Sequence, residues 1–208
     1  DFGSQATWNA EYGLAFGAGG LVTASAGTGF RAPDATDRYG FGGNPDLDPE
    51  ESTSYEIAWR QALGERQSVT LAAFRNDVDD LIEFFIVDPD TFEGENRNIA
   101  EARIEGVEAS WQYEHENWSA RVTGTWQDPR DQATDERLLR RAREYYTAAV
   151  ARRFAGHEVA IDVLHAGERR DFGFPQVVLP SYWLANLSAR FALGERLSER
   201  PYSRNDHR

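Results

Sequence analysis

The side chains that could do chemistry lie mainly in two acidic segments, residues 34–51 and residues 77–95. Carboxylate oxygens are good ligands for Ca²⁺, so such clusters are candidate calcium sites. The alternative is a solvated, negatively charged surface, and this is the interpretation we favour; we predict no metal site in the chain. The carboxylates are Asp34, Asp37, Asp46, Asp48, Glu50 and Glu51 in the first segment, and Asp77, Asp79, Asp80, Glu83, Asp88, Asp90, Glu93 and Glu95 in the second.

Sequence motifs of the common enzyme classes are missing from the chain. There is no H-E-x-x-H, no G-x-S-x-G and no phosphate-binding P-loop. The four histidines lack metal-ligand spacing, and the absence of cysteine removes thiolate nucleophiles, thiolate metal sites and disulfides. The formal net charge of -13 argues against nucleic-acid binding, because phosphate groups would be repelled. We therefore predict a protein that is not an enzyme and that binds no nucleic acid.

Alternation of apolar and polar side chains is the dominant pattern of the sequence, and it predicts β-strands. It is clearest over residues 6–16, where Trp8, Tyr12 and Leu14 share one face, and it recurs over 118–126 and 181–193. Weaker versions cover 20–31, 52–62, 67–77, 98–114, 143–154 and 158–168. Nine strands are thus predicted, and a tenth could begin near Leu197.

The length of these segments and the order of their connections favour membrane strands. Most of the segments exceed the ~5 to 6 residues of a typical soluble strand and match the ~9 to 11 residues of a strand that crosses a bilayer. Short connections (17–19, 63–66, 115–116, 155–157 and 194–196) alternate with long ones (32–51, 78–97, 129–142 and 169–180). Outer-membrane barrels have this arrangement, with tight turns at one end and long loops at the other. The alternative is a soluble β-sandwich or a large soluble barrel, and a sandwich would bury Trp8, Val122 and Leu187 in a dry core.

Aromatic and charged residues support the membrane interpretation. Trp and Tyr gather near the predicted strand ends, where an interfacial ring is apolar on one side and hydrated at its polar atom. Glu11, Arg121 and Arg190 fall on the polar face. Arg75 and Arg152 continue the apolar register instead, and we expect both at strand ends, where a charge near lipid costs little.

Several segments resemble the signatures of TonB-dependent outer-membrane receptors. The superfamily pattern is seen in G-F-R-A-P, N-P-D-L-D-P-E and S-Y-E. Three further segments resemble the vitamin B12 (cobalamin) receptors of this family more specifically: F-R-N-D-V-D-D-L-I, N-I-A-E-A-R-I-E-G-V-E-A and L-L-R-R-A. In order, the matches occupy residues 29–33, 44–50, 54–56, 74–82, 98–109 and 138–142.

The resemblance implies an all-β, antiparallel up-and-down transmembrane β-barrel, of which the chain is a part, with about 9 to 10 of about 22 strands. Residues 1–196 are expected to be the C-terminal part of the barrel, without the plug domain or the TonB box. Residues 197–208 lack alternation and are expected to be a divergent or truncated tail. The implied function is TonB-dependent uptake of cobalamin across the bacterial outer membrane. The alternatives are a receptor for a siderophore or another metal chelate, and a passive outer-membrane barrel.

The resemblance also implies site residues and partners. In the cobalamin receptors the first arginine of R-R contributes to ligand binding, and it corresponds to Arg140. A tyrosine of the next outer loop falls near Phe172, which lacks the hydroxyl. The alternative for Arg140 is a solvated arginine paired with Asp135 or Glu136. No cofactor is expected in this chain, since the family's calcium ligands lie in earlier loops. The expected partners are outer-membrane lipid, lipopolysaccharide, TonB through a plug, and cobalamin.

Overall fold

The computed structural model describes residues 2–88, 90–91, 93–173 and 175–192. Within this part of the chain the protein is almost entirely β-structure, with one short helix. The elements are β1 (Asn9–Phe16), β2 (Gly20–Arg31), α1 (Ala35–Tyr39), β3 (Glu50–Ala62), β4 (Gln67–Asp88), β5 (Glu93–His115), β6 (Trp118–Asp131), β7 (Glu144–Phe154), β8 (His157–Ala166), β9 (Arg169–Asp171), β10 (Val177–Leu179) and β11 (Tyr182–Arg190).

Nine strands form one antiparallel sheet in which each strand pairs with its neighbours along the chain, in the order β1-β2-β3-β4-β5-β6-β7-β8-β11. The two remaining strands, β9 and β10, form a small hairpin inside the last long loop. Up-and-down antiparallel topology is thereby confirmed, as is the predicted number of long strands. Among the described residues β1 and β11 do not pair with each other, so the sheet is a partial barrel that does not close. The predicted turn at 194–196 and the predicted tenth strand lie outside the described residues.

One long loop is shorter than the sequence predicts. Residues 78–97 are mostly strand, because β4 and β5 are 22 and 23 residues long in all, extend past the alternating segments 67–77 and 98–114, and pair as far as Asp88 and Glu93. The apolar–polar alternation of a membrane strand is absent here because both faces carry polar residues. Leu81 and Ile99 nevertheless pair across the two strands and are buried. The extended hairpin is therefore held by its own ladder of hydrogen bonds and by a small core beneath a neighbouring loop.

The first long loop contains the helix α1, which the alternation does not predict. Asp34 caps its N-terminus by accepting hydrogen bonds from the backbone N–H groups of Thr36 (2.7 Å) and Asp37 (2.8 Å). Asp37 reciprocates by accepting from the Asp34 N–H at 3.0 Å, which completes a capping box. Among the described residues no helix has the length and hydropathy of a membrane span.

The apolar face of the sheet is exposed rather than packed. Trp8 is 53% exposed, Val122 46% and Leu187 77%. Cross-strand neighbours share a face, and Leu187 pairs with Ile161, which pairs with Val150. No second sheet covers this row among the described residues, since β9 and β10 form the other sheet alone. The sandwich alternative is therefore excluded, and the exposed apolar face is the one that a bilayer would cover.

Aromatic rings border this face at both ends. Pairs eight residues apart occur within or at the ends of four strands, and eight residues of strand span about 26 Å, close to the ~25 Å apolar band of outer-membrane barrels. Neighbouring rings touch at the long-loop end, where the centroid distances are 5.2 Å from Trp126 to Tyr146, 5.5 Å from Tyr146 to His165 and 4.4 Å from His165 to Trp183. The pairs are Trp8 and Phe16, Trp118 and Trp126, Tyr146 and Phe154, and Trp183 and Phe191.

The two arginines that break the apolar register behave differently. Arg152 lies near the end of β7, as predicted, and its guanidinium is 5.1 Å from the centroid of the Trp118 ring. Arg75 is not at a strand end, because β4 continues for 13 more residues. It nevertheless lies beyond the aromatic rings that border the apolar face. Ala73, two residues before it, pairs with Val107, and Val107 pairs with Trp126 of the aromatic border. Its Nε donates to Asp77 at 2.8 Å.

Candidate ligand-binding rim

The two residues predicted as ligand contacts, Arg140 and Phe172, contact each other at the long-loop end of the sheet, which we call the rim. The guanidinium carbon of Arg140 is 3.9 Å from the centroid of the Phe172 ring, a cation–π distance. Arg140 Nε donates to Asp171 Oδ1 at 2.7 Å, and this hydrogen bond holds the pKa of the Asp171 carboxyl below its usual value. The structure thus brings together one residue from the loop before β7 and one from the loop after β8.

Arg140 does not pair with the acidic residues of its own loop. Asp135 instead binds Arg130, with 3.0 Å between Arg130 Nη1 and Asp135 Oδ1. The backbone explains the choice: Arg140 has a left-handed φ of +58°, and its N–H donates to the carbonyl of Arg170 at 2.7 Å. The side chain is directed to the next loop and remains 59% exposed, so a ligand can reach it.

The segment that carries Arg140 packs against the extended hairpin through an apolar side chain. Leu138 is 3% exposed and packs in a small core with Val78, Leu81, Ile99 and Ala102 on the extended hairpin.

Two charged side chains, Glu83 and Arg141, lie near this apolar contact. Burial raises the pKa of the Glu83 carboxyl, although Arg141 nearby and a hydrogen bond from the Leu139 N–H favour its ionised form. Arg141 Nε is buried and has no hydrogen-bond partner among the described residues. The hairpin therefore positions Arg140 through both an apolar contact and partly buried charges.

An aromatic row that the sequence analysis missed continues from Phe172 across the rim. The ring of Phe84, on β4, is 5.2 Å from that of Phe172 and 5.8 Å from that of Phe41, on the first long loop. The rings come from two long loops and from the extended hairpin, so no local pattern joins them. The available signals were the glycines beside Phe41 and the run of apolar residues around Phe84, both in segments predicted as loops.

The superfamily signature residues form a second network at the same end of the sheet. Arg31 binds Glu50 through two hydrogen bonds, Nε to Oε2 at 2.6 Å and Nη2 to Oε1 at 2.7 Å, and binds Asp37 at 2.8 Å. Glu50 Oε1 also accepts the backbone N–H of Ile82 at 2.9 Å. The G-F-R-A-P and N-P-D-L-D-P-E segments are therefore tied to each other and to the extended hairpin.

Asparagine side chains complete the docking of the first long loop on β5. Asn98 exchanges hydrogen bonds with the backbone of Asp48, donating to its carbonyl and accepting from its N–H, both at 3.0 Å. Asn44 Nδ2 donates to the carbonyl of Asn96 at 3.1 Å, and Asn96 Nδ2 donates to that of Asp37 at 3.0 Å. Because neutral amides supply both donors and acceptors, they satisfy the loop backbone where a carboxylate could not.

The pKa values of the signature pair shift as expected for a charge-assisted hydrogen bond. The bond to Glu50 raises the pKa of Arg31 above its usual value. Partial burial acts to raise the pKa of Glu50, but the bonds from Arg31 and from the Ile82 N–H outweigh it, and the net pKa is lowered from 4.5. Both residues lie beyond the aromatic rings that border the apolar face. Their pairing is a feature of the long-loop end of the sheet rather than of the part that carries the apolar face.

A pH dependence of loop docking follows from Glu50. Because its pKa in the folded state is lowered, its contribution to stability is present above pH 4.5 and is lost as the pH falls through that lowered pKa. We expect the Ile82 amide to lose protection against hydrogen exchange, after correction for intrinsic rates, below pH 4.5. Glu50→Gln should abolish this step; an unchanged step in that variant would assign it to another group.

Most of the acidic residues of the two segments are partners of arginines or are exposed. Asp77 accepts from Arg75 at 2.8 Å and from Arg103 at 2.7 Å. No group of three or more histidine, aspartate or glutamate side chains in the described part of the chain could hold a metal ion. The histidines instead contact aromatic rings: His115 contacts Tyr113, His157 contacts Phe191, and His165 lies between two rings of the apolar face. His207 is outside the described residues.

Comparisons with known proteins agree with this geometry. The family model described as "TonB dependent receptor-like, beta-barrel" matches residues 2–200. The chain is 35% identical over 201 residues to the vitamin B12 transporter BtuB of Vibrio vulnificus (strain YJ016), covering 95% of this chain and 32% of that protein. The chain therefore spans about a third of the length of the curated relative that it matches.

Solved structures show the same fold. The copper transporter OprC superposes with a TM-score of 0.75 at 14% identity, covering 90% of this chain and 31% of that one. The ferric enterobactin receptor PfeA of Pseudomonas aeruginosa (G324V mutant) superposes with a TM-score of 0.72 at 16% identity, covering 91% and 33%. The resemblance of the signature segments is confirmed, and the chain belongs to the family of TonB-dependent receptor β-barrels, which are receptors and transporters of the outer membrane.

Proposed function

We propose that the chain is the C-terminal part of the barrel wall and outer rim of a TonB-dependent transporter whose ligand is cobalamin. The observation that carries the proposal is the pair of Arg140 and Phe172, in contact at 3.9 Å and still open to solvent at the long-loop end. Identity of 35% to a vitamin B12 transporter favours cobalamin over other ligands. We call the longer protein of which this chain would be a part the complete receptor.

The chemistry of the rim supports cobalamin as the ligand. Arg140 has donors beyond the Nε that Asp171 occupies, so its guanidinium can bind amide or phosphate oxygens at the edge of the ligand. Phe172 supplies an apolar face beside it, which suits the flat body of a corrin. Uptake then requires energy transmitted by TonB to a plug, and the described strands contribute the wall and the ligand-facing rim to that process. Outer-membrane lipid and lipopolysaccharide would cover the exposed apolar face.

The main alternative is a receptor for a siderophore or another metal chelate. It is favoured by the solved neighbours, which are named as a copper transporter and receptors for ferric chelates. These neighbours are less than 20% identical to the chain, so they bear on the fold and leave the ligand open. A passive barrel without a plug is the second alternative.

Binding of cyanocobalamin by the complete receptor tests the proposal. We expect Arg140→Ala to weaken binding by about 10- to 100-fold, since a hydrogen bond to a charged group contributes ~1.5 to 3 kcal/mol and each 1.4 kcal/mol is tenfold. Arg66→Ala, at the short turn between β3 and β4, is the matched control and should leave the dissociation constant unchanged. Binding of ferric enterobactin without binding of cyanocobalamin would replace cobalamin by the first alternative.

A further inference from the structure

We propose that Phe84 is a positioning residue that sets the geometry of the Arg140–Phe172 pair, and so the affinity of the rim for its ligand. The inference rests on the proposed function, because it deepens the same site. Phe84 has no counterpart in the motifs that carry the family resemblance: it follows F-R-N-D-V-D-D-L-I by two residues. Its role emerges only from its contacts with the first long loop, with β5 and with the last long loop.

Phe84 lies in a slot that glycine residues make possible. A Cβ atom built on Gly94 would overlap the Phe84 ring, and its three nearest neighbours would all be atoms of that ring. A Cβ on Gly42 would also overlap the ring, and Gly42 has a left-handed φ of +65°. The phenyl ring thus lies against two stretches of backbone that carry no side chain at the point of contact.

The walls of the slot are tied together. The N–H of Asn96, two residues after Gly94, donates to the carbonyl of Gly42 at 2.7 Å. The side chain of Asn96 also bonds the carbonyl of Asp37, and that of Asn44 bonds the carbonyl of Asn96. Because the first long loop is bound to β5 at these points, the ring of Phe84 has little freedom to move away from Phe172.

Contacts then connect the slot to the ligand-facing cation. Phe84 meets Phe172 at 5.2 Å with the rings tilted by 55°, and Phe172 carries the guanidinium of Arg140 at 3.9 Å. Removing Phe84 would free Phe172 to rotate, and Arg140 would lose one of the two contacts that orient its side chain. The row Phe41, Phe84 and Phe172 suits a ligand with a broad apolar face and oxygen acceptors at its edge.

The experiment uses the complete receptor and cyanocobalamin. We expect Phe84→Ala and Gly94→Ala each to raise the dissociation constant about 3- to 10-fold, the equivalent of the ~0.5 to 1.5 kcal/mol of an aromatic pair. The double variant should be no weaker than either single one, because Gly94→Ala acts through the ring. Phe84→Leu should bind as weakly as Phe84→Ala, because the leucine side chain has no ring to contact Phe172. Gly13→Ala and Phe85→Ala are matched controls outside the slot.

A second measurement does not depend on the ligand. We expect phenylglyoxal to modify Arg140 severalfold faster in Phe84→Ala and Gly94→Ala than in the unaltered chain, as read by mass spectrometry, since Phe172 covers the guanidinium less well. Unchanged reactivity and unchanged binding in both variants would overturn the role of Phe84 while leaving the proposed ligand intact. Failure of the unaltered receptor to bind cyanocobalamin would overturn the proposed ligand, and Arg140 reactivity would still decide the role of Phe84.

Discussion

Leu187→Arg should lower the free energy of unfolding of the complete receptor in a bilayer by about 2 to 4 kcal/mol, the cost of an arginine on the lipid face near the midplane. Leu187 lies midway between Trp183 and Phe191, the aromatic residues that border the apolar face on β11. It is 77% exposed and pairs across the sheet with Ile161. A guanidinium at this depth would lose its hydration without gaining a partner.

Ser188→Arg is the matched control, because the next residue along β11 points to the opposite face. We expect a change below about 1 kcal/mol, since the opposite face is polar and water-accessible in barrels of this kind. Unfolding by denaturant in lipid vesicles, followed by tryptophan fluorescence, gives both values. Equal effects of the two substitutions would show that the apolar face is not the lipid face.

Arg31→Ala should detach the first long loop from the extended hairpin. The side chain of Glu50 is only 13% exposed, so its carboxylate would lose two charge-assisted hydrogen bonds in a partly buried position. Arg31 is itself 46% exposed, and solvent therefore screens part of the interaction. We expect the free energy of opening at the Asn96 amide, which donates to the Gly42 carbonyl, to fall by about 1.5 to 3 kcal/mol in hydrogen exchange.

A double-mutant cycle separates the pair from its surroundings. Arg31→Ala and Glu50→Gln should be strongly non-additive, because each removes the same interaction. Arg97→Ala is the control: Arg97 and Glu95 form an ion pair in which both side chains are well exposed, and such pairs contribute ~0 to 1 kcal/mol. Additive effects in the Arg31–Glu50 cycle would mean that the signature residues stabilise the loop independently.

Patterns within single strands were readable from the sequence. Side chains of a strand alternate between faces, so a segment such as 118–126 carries its burial pattern within nine consecutive residues. The nine long strands, their order and the exposure of Trp8, Val122 and Leu187 were predicted correctly for this reason. The predicted strand end was wrong where the alternation stops. Arg75 was expected at a strand end, but β4 continues into the extended hairpin, which cross-strand hydrogen bonds stabilise.

Which residues pair at the rim could not be predicted from the sequence, because the pairs join distant parts of the chain. The sequence alone determined the strands and their two faces, because alternation is a local property, whereas the candidates Arg140 and Phe172 came from the family resemblance. Only the tertiary structure decided that Arg140 bonds Asp171 rather than Asp135, and that Phe84 lies between the first and last long loops. Loop conformations have no periodicity, and the pairing of two loops depends on the strands that hold their ends at neighbouring positions in the sheet.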